Sequence, residues 1–288
     1  MGKTGIEWTE MVWNVVTGCT PASPGCEHCY ARRMAHRLAG RVGYPVAPHE
    51  FAVTLHPERL DEPRHWKQMR SIFVCSMGDL FHELVPDDYI RQVFEVMQDT
   101  KQHVFQVLTK RPANALRWFT DYPWLSNLRN VWVGVTVEDQ TRADERIPLL
   151  LQIPAAVRFI SVEPMLSAIN LREWLQCHFG RSGKPIRVED GRAIYGARLG
   201  PRVDWVICGG ETGPQARPIN PAWVRQLRDQ CIENDAPFFF KNWGGPHREG
   251  WVVDGKLYSG NEIDGIRWTQ HPVANQGWKA LAWGKVQR

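Results

Sequence analysis

The chain lacks any unbroken apolar run long enough to cross a bilayer, and its opening residues, MGKTGIEWTE, lack the apolar stretch of an export signal. Those absences point to a cytoplasmic protein with no membrane partner. Charge of one sign is also scarce, since 35 basic and 31 acidic residues leave a net +4. An excess that small neither demands nor excludes nucleic acid. Internal repeats and low-complexity segments are missing. Cysteine is limited to seven, an odd number in a chain without an export signal, which argues against a disulfide framework.

What is present begins with a core. Of 288 residues, 43% are hydrophobic, enough for one large α/β domain or two ordinary ones. Apolar β-type runs recur: MVWNVV (11–16), FAVTL (51–55), SIFVCS (71–76), HVFQVLT (103–109), NVWVGVTV (130–137), VRFISV (157–162), VDWVICG (203–209) and PFFFK (237–241). Most are continuous rather than alternating, as expected of strands covered on both faces of a parallel sheet. DDYIRQVFEVMQDT, ADERIPLLLQI and PAWVRQLRDQCIEN carry helical spacing between them. The expected fold is a full or partial (β/α) TIM-like barrel over residues 1–243, with a doubly wound sheet as the alternative. A glycine- and arginine-rich stretch, 177–202, reads as an insertion. Residues 244–288 read as a C-terminal appendage with Asp-Gly turns in DGKLYSG and EIDGIRW. The fourteen tryptophans read chiefly as core, with a stacking wall for a planar substrate as the alternative for some.

In a barrel the active site lies at the C-terminal ends of the strands. Those ends hold Cys19, Asp79, Thr109, Lys110, Arg111, Thr136, Glu138, Ser161, Glu163, Gly209, Gly210, Glu211, Lys241 and Asn242. A barrel serving only as scaffold has no need to gather charge on one rim.

Three cysteines crowd into TGCTPASPGCEHCYARRMAHRL (17–38), spaced C-x6-C-x2-C as Cys19, Cys26 and Cys29. A structural zinc site wants four ligands; His28, His36 or a distant cysteine would have to complete it. Three close thiolates also suit a [4Fe–4S] cluster with one iron open. Following the first strand of a barrel, that arrangement resembles radical S-adenosylmethionine enzymes. Their commonest pattern is C-x3-C-x2-C with an aromatic before the third cysteine. This chain has a gap of six, His28 before Cys29, and Tyr30 after it. The flanking Arg32, Arg33, Arg37 and Arg41 read as a solvated helix face in preference to a nucleic-acid patch.

The ordered set TGIEWTEMVWNVVTGCTPASPGCEHCYARRMA, VCSMGDLFHELVP, FQVLTKRP, VWVGVTVEDQ, RFISVEPML, WVICGGETGPQARP and PFFFKNWGG resembles the phage-associated three-cysteine-motif family, from residue 4 to about 272. The resemblance implies a radical-SAM-like barrel in a bacterial or phage-infected cell, with a [4Fe–4S] cluster on Cys19, Cys26 and Cys29. It also implies S-adenosyl-L-methionine as co-substrate and an electron donor such as a flavodoxin or ferredoxin. Ser76, Asp79, Glu163, Gly209, Gly210 and Glu211 are then the candidate cofactor-binding residues, and Lys110, Glu163 and Lys241 the candidate catalytic ones. A nucleotide or nucleic-acid base is the expected substrate class. A zinc-stabilised, non-catalytic nucleic-acid-binding protein is the rival reading.

Overall fold

Seven of the apolar runs form one parallel sheet in the computed structural model, which describes residues 4–176, 201–246 and 250–272 and the antiparallel pair Arg187–Glu189 and Arg192–Ile194. The strands are β1 (Met11–Trp13), β2 (Ser71–Val74), β3 (Val104–Thr109), β4 (Val131–Thr136), β5 (Val157–Val162), β6 (Trp205–Gly209) and β7 (Phe238–Asn242). Their order across the sheet is their order in the chain, and every neighbouring pair is parallel. A doubly wound sheet would reverse at a switch point, and this one never does. The sheet curls into an open half-barrel with β1 and β7 at its free edges, a partial (β/α) barrel.

The run 51–55 is a correction. Only Thr54–Leu55 is extended there, and it pairs antiparallel with Val16–Thr17, outside the main sheet. Val53 and Leu55 are only partly buried against the core, so this apolar run covers the loop after β1 instead of entering the sheet.

Among the described residues six α-helices accompany the strands: α1 (Tyr30–Leu38), α2 (Asp87–Asp99), α3 (Pro112–Asp121), α4 (Gln140–Gln152), the single turn α5 (Arg172–Leu175) and α6 (Pro221–Glu233). Their starts are legible. Proline opens α3 and α6, where its missing N–H costs nothing. The Asp139 carboxylate caps α4 by accepting from the Arg142 N–H, and the Asn220 side chain caps α6 through the Ala222 N–H. The periodic segments had marked α2, α4 and α6 but not α3.

Alternate strand residues feed two cores. Val206 and Cys208 of β6 join Val93, Phe94, Trp118, Leu150 and Leu227 of the helices. Trp205 and Ile207 face the other way, with Trp8, Phe73, Trp132, Phe159 and Phe239. The rings in this second core touch directly; Trp8 and Phe73 lie 4.7 Å apart and Phe159 and Trp205 5.7 Å. Gly134 makes room for them, because a Cβ there would lie 2.5 Å from the Phe159 ring. Trp13, Trp118, Trp205 and Trp243 are among the largest fully buried side chains, so these tryptophans are packing and not a substrate wall.

Both Asp-Gly signals are hairpin turns. They join Trp251–Val253 to Lys256–Tyr258 and Glu262–Ile263 to Ile266–Arg267, with both turn residues at positive φ. Ile263 and Trp268 enter the helix-side core, and the Phe240 N–H bonds to the Trp268 carbonyl, so this part of the tail is fastened to β7. Most of the expected insertion at 177–202, and the tail beyond 272, lie outside the described residues.

A three-cysteine loop clamped by the strand-end rim

The loop after β1 is set by glycine and asparagine. Gly18 has φ +81, and a Cβ there would lie 2.1 Å from the Ala52 carbonyl oxygen, so only glycine fits. Its N–H bonds to the Met77 carbonyl, which ties the loop to the end of β2. The Asn14 side-chain oxygen accepts from Ser76 Oγ (3.1 Å) and from the Met77 N–H (3.2 Å). Cys19 follows Gly18, Cys26 ends a short turn at Pro24–Cys26, and Cys29 immediately precedes α1. All three are free and partly exposed, whereas Cys75, Cys208 and Cys231 are buried.

Rim loops grip this segment from several strands. From β3, Arg111 donates to the Thr20 carbonyl (3.2 Å), to Thr20 Oγ1 (2.9 Å) and to Cys19 Sγ (3.4 Å). His82, from the loop after β2, bonds Thr20 Oγ1 at 2.9 Å. Beyond β4, the fully buried Glu138 accepts from Ser23 Oγ at 2.5 Å, and behind it stand Arg146 (3.2 Å) and Lys110 (3.4 Å). From the loop after β6, Arg217 donates to the Pro24 carbonyl and to Glu27, each at 3.0 Å. Arg33 of α1 returns the contact by donating to the Thr212 carbonyl at 2.6 Å. Gly25 is small because a Cβ would meet the Glu138 side chain at 2.5 Å.

The structure brings the rim residues to one edge but gives them different employment. Asp79 accepts from Thr109 Oγ1, the Lys110 N–H, the Phe81 N–H and Arg111, so its carboxylate is saturated by the protein. Glu211 accepts three bonds from Arg217, at 2.7 to 2.9 Å. Burial would raise its pKa, but the Arg217 bonds prevail and hold it below the usual glutamate range. Ser76 is tethered by Asn14 and, through its carbonyl, by the Tyr30 hydroxyl. The Gly210 N–H bonds to the Asn242 carbonyl, and a Cβ there would lie 2.2 Å from the Trp243 carbonyl oxygen, so that glycine serves the approach of two rim loops. Gly209 lies beside Glu163, a Cβ there reaching the carboxyl carbon at 3.4 Å. Glu163 and Lys241 pair with each other and keep 21% and 23% of their side chains exposed.

Sequence reasoning missed Ser23, His82, Arg146 and Arg217. Arg217 stood in the quoted GPQARP and Ser23 between the first two cysteines, yet nothing local marks them as partners of this rim.

The thiols differ. Cys19 is pushed up to about 11 by burial and by Asp79, with Arg111 pulling the other way. Burial raises Cys75 to about 12. Cys26 Sγ accepts the Ala22 N–H at 3.5 Å. Among the described residues no three His, Cys, Asp or Glu side chains form a group that could hold a metal ion, so the thiols share a loop without forming a closed ligand set.

Fold and rim together define an open parallel (β/α) half-barrel whose strand-end face is organised around a three-cysteine loop. The chain belongs to the family described as Protein of unknown function (DUF5131), which matches residues 3–272. No curated protein and no solved structure matches it.

Proposed function

We propose that the chain is a radical S-adenosylmethionine enzyme acting at the strand-end rim. The observation that carries the reading is the three-cysteine loop, placed after β1 and clamped by rim side chains from β3, β4 and β6. The donor set suits the cofactor: three reduced, partly exposed thiols in one loop, two of them already accepting N–H donors, are soft ligands of the kind iron–sulfur clusters take. Cys19, Cys26 and Cys29 would hold a [4Fe–4S] cluster. When bound, that cluster supplies the electron that splits S-adenosylmethionine to methionine and a 5′-deoxyadenosyl radical able to abstract hydrogen from a substrate.

The protein's own groups divide the remaining work. Glu163 and Lys241 present opposite charges to the open rim and suit the ammonium and carboxylate of a zwitterionic ligand. Asp79 and Glu211 act one step back, as positioning groups for Arg111 and Arg217. Lys110 balances the buried Glu138 and so helps hold the cysteine loop. A flavodoxin- or ferredoxin-type donor is the corresponding partner.

The test is anaerobic purification with iron and sulfide analysis, followed by paramagnetic resonance of the reduced protein with and without S-adenosylmethionine. The expected result is a cluster signal that shifts on addition, with 5′-deoxyadenosine formed. Stoichiometric zinc and no cluster after reconstitution would overturn it in favour of a structural knot.

A further inference from the structure

Arginines at this surface are almost everywhere paired with carboxylates. Arg64 has Asp61 and Asp99, Arg91 has Asp88 and Glu95, and Arg117 has Asp87 and Asp121. Arg172, Arg225 and Arg267 have Glu233, Asp264 and Glu7. Arg129 and Arg202 have no carboxylate partner among the described residues either, but they stand singly, whereas one stretch gathers four such arginines. Among the described residues Arg32, Arg33, Arg37 and Arg41 have no carboxylate partner; Arg32 lies over the Phe51 ring and Arg33 donates only to a carbonyl. Arg32 and Arg37 are exposed, in keeping with a solvated helix face, and no carboxylate neutralises them.

The geometry of α1 sharpens the point. Ala31 and Ala35 are buried inward with Tyr44 and Met77. Tyr30, Arg33, Met34 and Arg37 follow the i, i+3, i+4, i+7 spacing of the opposite face. Arg41 is exposed beyond the helix end, after the chain turns at Ala39 and Gly40. The stripe starts directly after Cys29, so its first residue stands at the rim. That residue, Tyr30, is 46% exposed, and its hydroxyl donates to the Ser76 carbonyl, which fixes the ring in place. Met34 beside it is 40% exposed. Gly213 permits the crossing of Arg33 to Thr212, since a Cβ there would lie 1.4 Å from the guanidinium.

Uncompensated guanidiniums gathered in one stretch attract a polyanion, and a fixed exposed ring beside them offers a stacking platform for a base. We propose that α1 docks a single-stranded nucleic acid, with phosphates on Arg37 and Arg41 and a base stacked on Tyr30 at the edge of the cysteine loop. A single strand is favoured over a duplex because stacking on a side chain needs an unpaired base. A strand held there would bring the proposed chemistry a nucleobase or its sugar as substrate, and rests on that reading for the reaction alone.

The experiment uses the full chain and a fluorescent oligothymidylate, with affinity measured by anisotropy across a salt series. The double variant Arg37→Glu/Arg41→Glu should bind at least about tenfold more weakly and lower the logarithmic salt slope by about 1.4, two contacts at about 0.7 each for a single strand. Tyr30→Ala should weaken binding with the slope unchanged. Arg129→Glu, an exposed arginine just before β4, should match the wild type. Absence of binding at low salt, an equal loss in Arg129→Glu, or no loss in the double variant would overturn the assignment. A duplex bound as tightly as the single strand would overturn the single-strand part. Each preparation is also assayed for iron. A protein without a cluster that binds the strand refutes the chemistry and not the surface, and a clustered protein that ignores the strand does the reverse.

Discussion

Ser23 donates a hydrogen bond to Glu138 across 115 residues of chain, and the carboxylate that accepts it is wholly buried. Through that bond the cysteine loop rests on the end of β4, and Arg146 and Lys110 balance the charge from behind. Removing the carboxylate strands the Arg146 guanidinium, itself buried. Glu138→Ala should therefore cost about 3 kcal/mol, and Ser23→Ala about 2 kcal/mol because its acceptor is charged. Urea unfolding checks both. A midpoint for Glu138→Ala equal to the wild type would remove Glu138 from its place as anchor.

Thiol chemistry should separate the six described cysteines into two classes. Cys19, Cys26 and Cys29 are partly exposed, whereas Cys75, Cys208 and Cys231 are buried, so access separates them even though burial raises Cys19 as well. Alkylation of the native, metal-free protein followed by peptide mass analysis should mark the loop cysteines first. The buried three should react only in denaturant. Early labelling of Cys208 would contradict the packing of β6.

Two glycines discriminate between steric and conformational demand. Gly210→Ala places a Cβ against the Trp243 carbonyl oxygen at 2.2 Å and should cost about 3 kcal/mol, at the upper end for overpacking. Gly255 has open space around it but φ +74, so Gly255→Ala should cost only about 1 kcal/mol. Thermal melts of the pair should keep that order; a reversed order would mean that the β6 and β7 loops separate easily.

Acid should loosen the clasp between the loop after β6 and the cysteine loop. The folded pKa of Glu211 is held below its unfolded value, near about 4.3 for a free glutamate. Its contribution is therefore complete above that value and is lost as pH falls through the lowered folded one. Asp264, bonded by Arg225 and Arg228, acts in the same direction. Stability measured against pH should fall on the acid side, and Arg217→Gln should flatten that limb. An unchanged acid limb in the variant would show that the Glu211 clasp contributes nothing to it.

Much of the fold was legible because its signals are local. Apolar runs of strand length marked all seven sheet strands, and Asp-Gly marked both tail hairpins. The run 51–55 misled because apolar composition reports burial and not sheet membership; Val53 and Leu55 bury themselves under a loop. At the site, the residues at the strand ends were foreseen but not their employment. Asp79 and Glu211 looked free to meet a ligand, yet they are engaged by Thr109, Arg111 and Arg217. Glu163 and Lys241 engage each other and stay about a fifth exposed.

By itself the sequence determined the β/α alternation, the charged strand ends and the three thiols of one loop, since each depends on neighbours within a few residues. Tertiary structure decided that the sheet stays open, and that Arg111, Glu138 and Arg217 close on the cysteine loop. It also left the arginines of α1 without acids. Those outcomes join residues as far apart as Pro24 and Arg217, 193 positions along the chain. Whether such a pair meets depends on how the sheet curls and where each rim loop lands, and no local spacing carries that information.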